Sequence, residues 1–120
     1  MKRIVVVEDF NTSRQIIKKT LEKMGHQVDE ASDGREALKF FDGSKIDLLI
    51  SDYNMPNMDG AELVEYIRSR EEYKYIPILI LSTETNVKKQ NRVKDALITG
   101  WIRKPFQIDE FNRLVEKVLR

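Results

Sequence analysis

Short apolar segments recur along the chain, and polar or charged residues follow each of them. They occupy residues 3–7, 48–50, 78–81 and 101–103, and a more mixed segment lies at 27–31. Runs of this length that are rich in Val, Ile and Leu are typical of strands buried on both faces of a sheet. The pattern therefore predicts five strands.

Helical spacing of apolar residues fills the stretches between these strands. Asn11 or Thr12 is predicted to cap the first helix, and Gly25 to end it. The apolar positions of that helix are Ile16, Ile17, Thr20, Leu21 and Met24. Asp33-Gly34 leads into a second helix that carries Ala37, Leu38 and Phe41. The remaining predicted helices span residues 61–70, 86–97 and 109–119.

Strands that alternate with helices at this spacing predict parallel crossover units. We expect one α/β domain over residues 1–120, with a five-stranded parallel sheet covered by helices on both faces. No linker or repeat interrupts the alternation. The sequence therefore predicts a single module without an attached output domain.

Composition narrows the classes of function. The chain has 21 basic and 20 acidic residues, a net charge of +1, which gives no bulk attraction to nucleic acid or to an anionic membrane. It contains no cysteine, so disulfides and thiolate chemistry are excluded. The apolar run after Arg3 ends at Val7, which is too short for a signal peptide or a membrane span. We expect a cytoplasmic protein.

Polar side chains stand at the ends of four predicted strands. They are Glu8 and Asp9, Asp52, Ser82, and Lys104. Carboxyl ends of parallel strands meet at one edge of the sheet, where α/β folds bind their ligands. A polar loop with Pro56 and Asp59-Gly60 follows Asp52, as expected of a chain reversal at that edge.

Three neighbouring carboxylates would repel one another by about 4 kcal/mol per pair at an effective dielectric constant near 20. Such a cluster predicts a bound cation, and oxygen ligands without His or Cys favour Mg²⁺. A carboxylate between a metal ion and the ammonium of Lys104, with the Ser82 hydroxyl nearby, is suited to attack phosphorus. The sequence thus predicts that Asp52 becomes an aspartyl phosphate.

These residues resemble the receiver domains of two-component response regulators, in particular the single-domain chemotaxis regulators of the CheY type. The resemblance covers nearly the whole chain, and four motifs carry it in order. They are Glu8-Asp9, Asp52-Tyr53-Asn54-Met55-Pro56-Asn57-Met58-Asp59-Gly60, Ser82-Thr83-Glu84 and Lys104-Pro105-Phe106. The resemblance implies the strand order 2-1-3-4-5.

It also implies a role for each site residue. Asp52 would be the phosphoacceptor, and Asp9, Asp52 and the backbone carbonyl of Asn54 would hold Mg²⁺. Glu8 would act on the metal through water. Ser82 and Lys104 would contact the phosphoryl oxygens.

Two further features are implied beside the site residues. The Lys104-Pro105 peptide bond would be cis. Trp101 would change rotamer as Ser82 moves toward the phosphate.

The implied partners are a CheA-like histidine kinase, an output target such as a flagellar motor switch protein, and a phosphatase. The target would bind the face formed by the fourth helix, fifth strand and fifth helix. The protein would be a monomer and would catalyse only its own phosphorylation and dephosphorylation.

Two residues depart from the usual pattern of the family. Ser82 stands where threonine is commoner, and either residue supplies the hydroxyl. Leu97 occupies a position that glycine usually holds, so the fourth helix is expected to end differently.

Simpler interpretations exist for each residue taken singly. Glu8-Asp9 alone is compatible with a solvated helix entrance, Ser82 with a strand-end hydroxyl and Lys104 with a surface lysine. Two other functions use the same chemistry. One is a phosphorelay intermediate that passes the phosphate to a second histidine protein. The other is a phosphatase of the haloacid dehalogenase kind, which needs a second acid where this chain has Asn54.

Overall fold

The computed structural model describes residues 1–83, 87–95 and 98–120, and for Val87 and residues 93–95 it describes the backbone alone. Five strands and five helices alternate over these residues. They are β1 (Arg3–Val7), α1 (Asn11–Lys23), β2 (Gln27–Ala31), α2 (Gly34–Ala37), β3 (Leu48–Asp52), α3 (Gly60–Ser69), β4 (Ile78–Ser82), α4 (Val87–Asp95), β5 (Gly100–Arg103) and α5 (Ile108–Val118).

The strands form one parallel sheet in the order β2-β1-β3-β4-β5. Every residue of β3 and β4 is buried, because helices cover both faces of the sheet. The predicted α/β fold and its strand order are therefore confirmed. The site lies at the carboxyl edge of this sheet.

Two apolar clusters hold the helices to the sheet. One unites Val5, Val7 and Leu49 with side chains of α2 and α3. The other unites Ile4, Val6 and Leu48 with side chains of α1 and α5 on the opposite face. The alternation of neighbouring residues between the clusters follows from the two-residue period of a strand. Burial on both faces keeps the strand ends in fixed positions.

The ends of α1 differ in part from the prediction. Phe10 occupies the N-cap position without a side-chain cap, so the predicted caps Asn11 and Thr12 are wrong. The helix begins one residue earlier because the backbone N–H of Arg14 already donates to Phe10 O. Gly25 does end the helix, with φ +92° and with its N–H donating to Glu22 O.

The apolar face of α1 is narrower than the sequence pattern suggests. Ile17 and Leu21 are buried, whereas Ile16 is 51% exposed. Helical spacing therefore places Ile16 next to the buried stripe without burying it.

The second helix is shorter than predicted. α2 has four residues, and a 3₁₀ turn over Leu38–Phe40 continues it, so that Phe41 lies beyond both. Phe41 is nevertheless buried, with its ring edge-on to Tyr73 at 4.9 Å between centroids. Asp33 caps α2 by accepting from the N–H of Glu36.

The boundaries of the strands, of α3 and of α5 agree with the prediction to within one or two residues. α3 begins with a capping box formed by Asp59 and Glu62. α4 lies beside α3, and the predictions made for Glu84, Asn86 and Leu97 lie outside the described residues. None of the helices in the described part of the chain has the length and apolar character that a membrane crossing requires.

We expect Gly60→Ala to destabilise the fold by about 1 to 3 kcal/mol, because the new methyl group would meet backbone atoms. A Cβ at Gly60 would lie 2.6 Å from Asp52 O and 2.9 Å from Tyr53 Cα. Gly34→Ala is a matched control at the first residue of α2. Its Cβ would meet the Met58 side chain at 2.9 Å, which is able to rotate away. Urea unfolding compares the two variants, and equal losses would contradict the expectation.

Candidate functional site

Four strands deliver polar side chains to the same edge of the sheet. Asp52 is the last residue of β3 and Ser82 the last residue of β4. Glu8 directly follows β1, and Lys104 directly follows β5. Since these strands are neighbours and run parallel, the four residues lie along one rim.

Three carboxylates meet there. One oxygen each from Glu8, Asp9 and Asp52 lies within 4.8 Å of the other two. Glu8 is 1% exposed and Asp52 is 8% exposed, whereas Asp9 is open to solvent. Two carboxylates of the cluster are therefore buried, and the third is exposed.

Lys104 ties the two buried carboxylates together. Its Nζ donates to Glu8 Oε1 at 2.9 Å and lies 3.2 Å from Asp52 Oδ2. The position of Lys104 is fixed by its own backbone N–H, which donates to Ser82 O at 2.9 Å. The Lys104-Pro105 peptide bond is cis, as the resemblance implied.

Not every oxygen of this cluster has a donor. Asp52 Oδ1 accepts from the backbone N–H of Tyr53 at 3.0 Å. Glu8 Oε2 is buried and has no hydrogen-bond partner within the described part of the structure. A buried acceptor without a donor costs free energy, so this oxygen is suited to a cation or a water bound to one.

Burial dominates the protonation of the site. It raises the pKa of Glu8 to about 7, and the adjacent Asp52 adds to the increase while Lys104 opposes it. Burial alone would lower the pKa of Lys104. Its hydrogen bond with Glu8 and the charge of Asp52 outweigh burial, and the net effect is a raised pKa for Lys104. The amine is therefore protonated at neutral pH.

The donor set fits a hard divalent cation. It consists of oxygens only, and three carboxylates against one ammonium leave the cluster with excess negative charge when all are ionised. Asn54, the remaining predicted ligand, lies two residues after Asp52 with an exposed side chain. Its predicted contribution is the backbone carbonyl.

Ser82 and Trp101 lie on adjacent strands behind the carboxylates. Ser82 is 1% exposed. Trp101 is half-buried and pairs with Ile80 in the register of β4 and β5. The Trp101 ring lies 5.9 Å from the ring of Tyr53, the residue that follows Asp52.

Two residues at the site escaped the sequence analysis. Tyr53 links Asp52 to Trp101, and only its place in a motif could have drawn attention to it. Arg14 donates to the backbone carbonyl of Glu8 from the first turns of α1. The sequence feature that could have drawn attention to Arg14 is its position near a helix amino terminus, where the helix dipole disfavours positive charge.

The sequence matches the response regulator receiver domain family over residues 4–116. This chain belongs to the response regulator receiver family. Receiver domains are signalling modules of two-component systems, and they interact in general with histidine kinases and output targets. The family does not support the alternative of a haloacid dehalogenase-like phosphatase.

Individual relatives of this receiver domain agree with the assignment. It is 33% identical over 117 residues to the chemotaxis protein CheY-3 of Vibrio cholerae, covering 97% of this chain and 90% of that protein. The structure of the chemotaxis response regulator CheY4 of Vibrio cholerae matches it with a TM-score of 0.92 and 39% identity, covering 99% of both chains.

A receiver domain of another kind is also similar. The signal receiver domain of a histidine kinase from Syntrophus aciditrophicus matches with a TM-score of 0.91 and 29% identity, covering 99% of this chain and 90% of that chain.

We expect the metal-free receiver domain to lose stability as the pH rises from about 4.5 to 7. An unfolded glutamate releases its proton near pH 4.5, whereas folded Glu8 retains it up to about pH 7. The folded state therefore binds more protons in this window, and the free energy of unfolding falls by roughly 3 kcal/mol.

Glu8→Gln removes this contribution and is the control. Denaturant unfolding without divalent ions at about pH 5, 6 and 7 gives the free energy of unfolding of both proteins. His26, whose pKa is lowered by burial, contributes the opposite slope to both, so their difference isolates Glu8. A difference that stays constant with pH would contradict the assignment.

Proposed function

We propose that this receiver domain, spanning residues 1–120, accepts a phosphoryl group from a histidine kinase on Asp52. The observation that carries the proposal is the contact of one ammonium, Lys104 Nζ, with both Asp52 and Glu8 beside the exposed Asp9. Asp52 lies at the rim of the sheet, and 12% of its side chain is exposed. The phosphorus–nitrogen bond of the donor histidine breaks as the Asp52 oxygen–phosphorus bond forms.

The residues of the chain divide the work on the phosphoryl group. Asp52 is the nucleophile, and its Oδ2 lies 3.2 Å from the ammonium of Lys104. Once the phosphoryl group is attached, Lys104 neutralises part of its charge, and the Ser82 hydroxyl donates a hydrogen bond to one of its oxygens. Both contacts draw the ends of β4 and β5 toward Asp52.

Mg²⁺ is the proposed cofactor. Asp9, Asp52 and the backbone carbonyl of Asn54 would hold it, and Glu8 would act through water, as the oxygen-only donor set and the buried Glu8 Oε2 support. When bound, the ion supplies positive charge to the equatorial phosphoryl oxygens.

We assign the protein to chemotaxis, with a CheA-like kinase as donor and a flagellar motor switch protein as target. The sequence identity of 33% and 39% with two chemotaxis proteins of Vibrio cholerae supports this assignment. The proposed target surface is the face of α4, β5 and α5, on which Trp101 lies beside the site. A phosphatase would end the signal, and the protein would act as a cytoplasmic monomer.

The alternative is a relay intermediate. The similarity to the receiver domain of a histidine kinase supports it. The two functions differ in the fate of the phosphate. A chemotaxis regulator binds its target while phosphorylated, whereas a relay intermediate passes the phosphate to a second histidine protein. Pull-down with the beryllofluoride-treated protein, against untreated protein, separates them through the identity of what is retained.

Acetyl phosphate with Mg²⁺ should add one phosphoryl group to the wild-type protein and none to Asp52→Asn, because Asp52 is the nucleophile. Intact-protein mass spectrometry measures the adduct, which should be labile to hydroxylamine as acyl phosphates are. Asp9→Asn is the companion variant. It should weaken Mg²⁺ binding and raise the melting temperature without metal, because one of the repelling carboxylates is gone. A phosphorylated Asp52→Asn would contradict the proposal.

Trp101, the single tryptophan, should report activation. Its fluorescence should change when beryllofluoride and Mg²⁺ are added, because Ser82 moves toward the phosphoryl mimic and frees space beside the Trp101 ring. Ser82→Ala should lose most of this change while binding Mg²⁺ nearly as tightly. Ser82→Thr, which keeps the hydroxyl, should retain it. An unaltered Trp101 signal accompanied by tighter target binding would rule out this route.

A further inference from the structure

The turn between β1 and α1 carries two of the three acidic residues, and hydrogen bonds to its backbone hold it in place. The backbone N–H of Glu8 donates to Ala31 O at 3.0 Å. Its carbonyl accepts from Arg14 Nη1 at 2.8 Å. The backbone N–H and the backbone carbonyl of Glu8 are therefore both hydrogen-bonded to other parts of the fold.

The guanidinium of Arg14 contacts three parts of the fold. Besides Glu8 O, its Nη2 donates to Asn11 Oδ1 at 2.9 Å and its Nε donates to Glu30 Oε1 at 2.9 Å. The Arg14 side chain is only 14% exposed. Arg14 therefore joins the turn, the beginning of α1 and the strand β2.

Glu30 is a rigid anchor for Arg14. It lies in β2 opposite Val6 of β1. It also accepts from Gln15 and from Lys18. The hydrogen bonds from Lys18 and Arg14 lower the pKa of Glu30 to about 2, so it is ionised at neutral pH. The anchor is therefore a charged group fixed in the sheet.

The placement of Arg14 is unfavourable for the helix itself. No acidic residue occupies the first turn of α1, and its N-cap residue Phe10 has no side-chain hydrogen bond. A cation near a helix amino terminus opposes the dipole. The contacts of Arg14 outside the helix account for a basic residue at this position.

We propose that Arg14 is a positioning residue of the acidic site, holding the Glu8 carbonyl so that Glu8 and Asp9 keep their directions despite mutual repulsion. This inference rests on the proposed function, because fixed carboxylates matter there for binding Mg²⁺. Asp9 depends most on the restraint, since its side chain is exposed and no packing confines it.

Lysine is not an equivalent residue here. The planar guanidinium presents several donors in a fixed fork, whereas an ammonium is a single point on a flexible stem. Arg14→Lys keeps the charge and a contact with Glu30 but does not serve Glu8 O and Glu30 from two sides at once. Lys18→Met is the matched control, because it removes another cation from Glu30 and leaves the Glu8 carbonyl bound.

The first measurement is Mg²⁺ affinity by isothermal titration calorimetry on the intact chain. We expect Arg14→Lys to weaken binding about tenfold, as loss of a supporting contact to metal ligands typically does. Lys18→Met should bind as tightly as wild type or slightly more tightly, because it removes positive charge. If Arg14 acted on the site only through its positive charge, Arg14→Lys would bind Mg²⁺ with the affinity of the wild-type protein. Equal weakening of both variants, or an unchanged Arg14→Lys, would overturn the proposal.

The second measurement needs no metal. The Glu8 amide, bonded to Ala31 O, should exchange its hydrogen about ten times faster in Arg14→Lys, relative to amides at the centre of β1. In Lys18→Met the ratio should equal that of wild type. If wild-type protein binds no Mg²⁺, the proposed function fails, and this ratio still decides the role of Arg14. An unchanged ratio in Arg14→Lys would overturn it.

Discussion

The contact of one ammonium with two buried carboxylates is the interaction on which the site depends. Glu8 and Asp52 lie almost fully inside the protein, and Lys104 Nζ is 2.9 Å and 3.2 Å from their oxygens. Without that cation, two adjacent buried charges would be untenable, and removing one partner of a buried pair is strongly destabilising. The third carboxylate, Asp9, remains on the open side, where no described cation balances it. A cation that binds to the site would balance this negative charge.

The sheet gives this charge balance its geometry. β1, β3 and β4 are packed on both faces, so the residues at their carboxyl ends have little freedom to separate. The turn after β1 lacks such packing and is held instead by Ala31 O and Arg14. The strand ends of the site are therefore held by packing, whereas the turn after β1 depends on hydrogen bonds.

Side-chain contacts also lead from the site to β5 and from α3 to α4. Tyr53 follows Asp52 and contacts Trp101 on β5. α4 is joined to α3 by Arg92, which donates to Glu65 at 2.7 Å and lies 3.9 Å from Asp59. These pairs are exposed, and exposed pairs contribute little free energy. Among the described side chains, these contacts between α4 and α3 therefore contribute little to stability.

The pattern of apolar and polar residues was enough to predict the α/β class, the five strands and the edge at which Glu8, Asp52, Ser82 and Lys104 meet. Each of these follows from local information, since apolar runs define strands and parallel strands share their carboxyl edge. Motif resemblance supplied the strand order and the cis bond before Pro105. Capping preferences and helical periodicity were less reliable, since Phe10 rather than Asn11 or Thr12 takes the cap position and Ile16 lies exposed.

The pairing of individual atoms could not be predicted and became visible only in the folded protein. That Lys104 contacts both Glu8 and Asp52, that Glu8 Oε2 lacks a donor, and that Arg14 reaches from α1 to Glu8 O and Glu30 are relations between distant segments. The raised pKa of Glu8 likewise comes from burial beneath neighbouring elements, which no residue type encodes. Hydrophobic periodicity acts along the chain and is visible in the sequence, whereas hydrogen bonds and desolvation depend on the three-dimensional distances that folding creates.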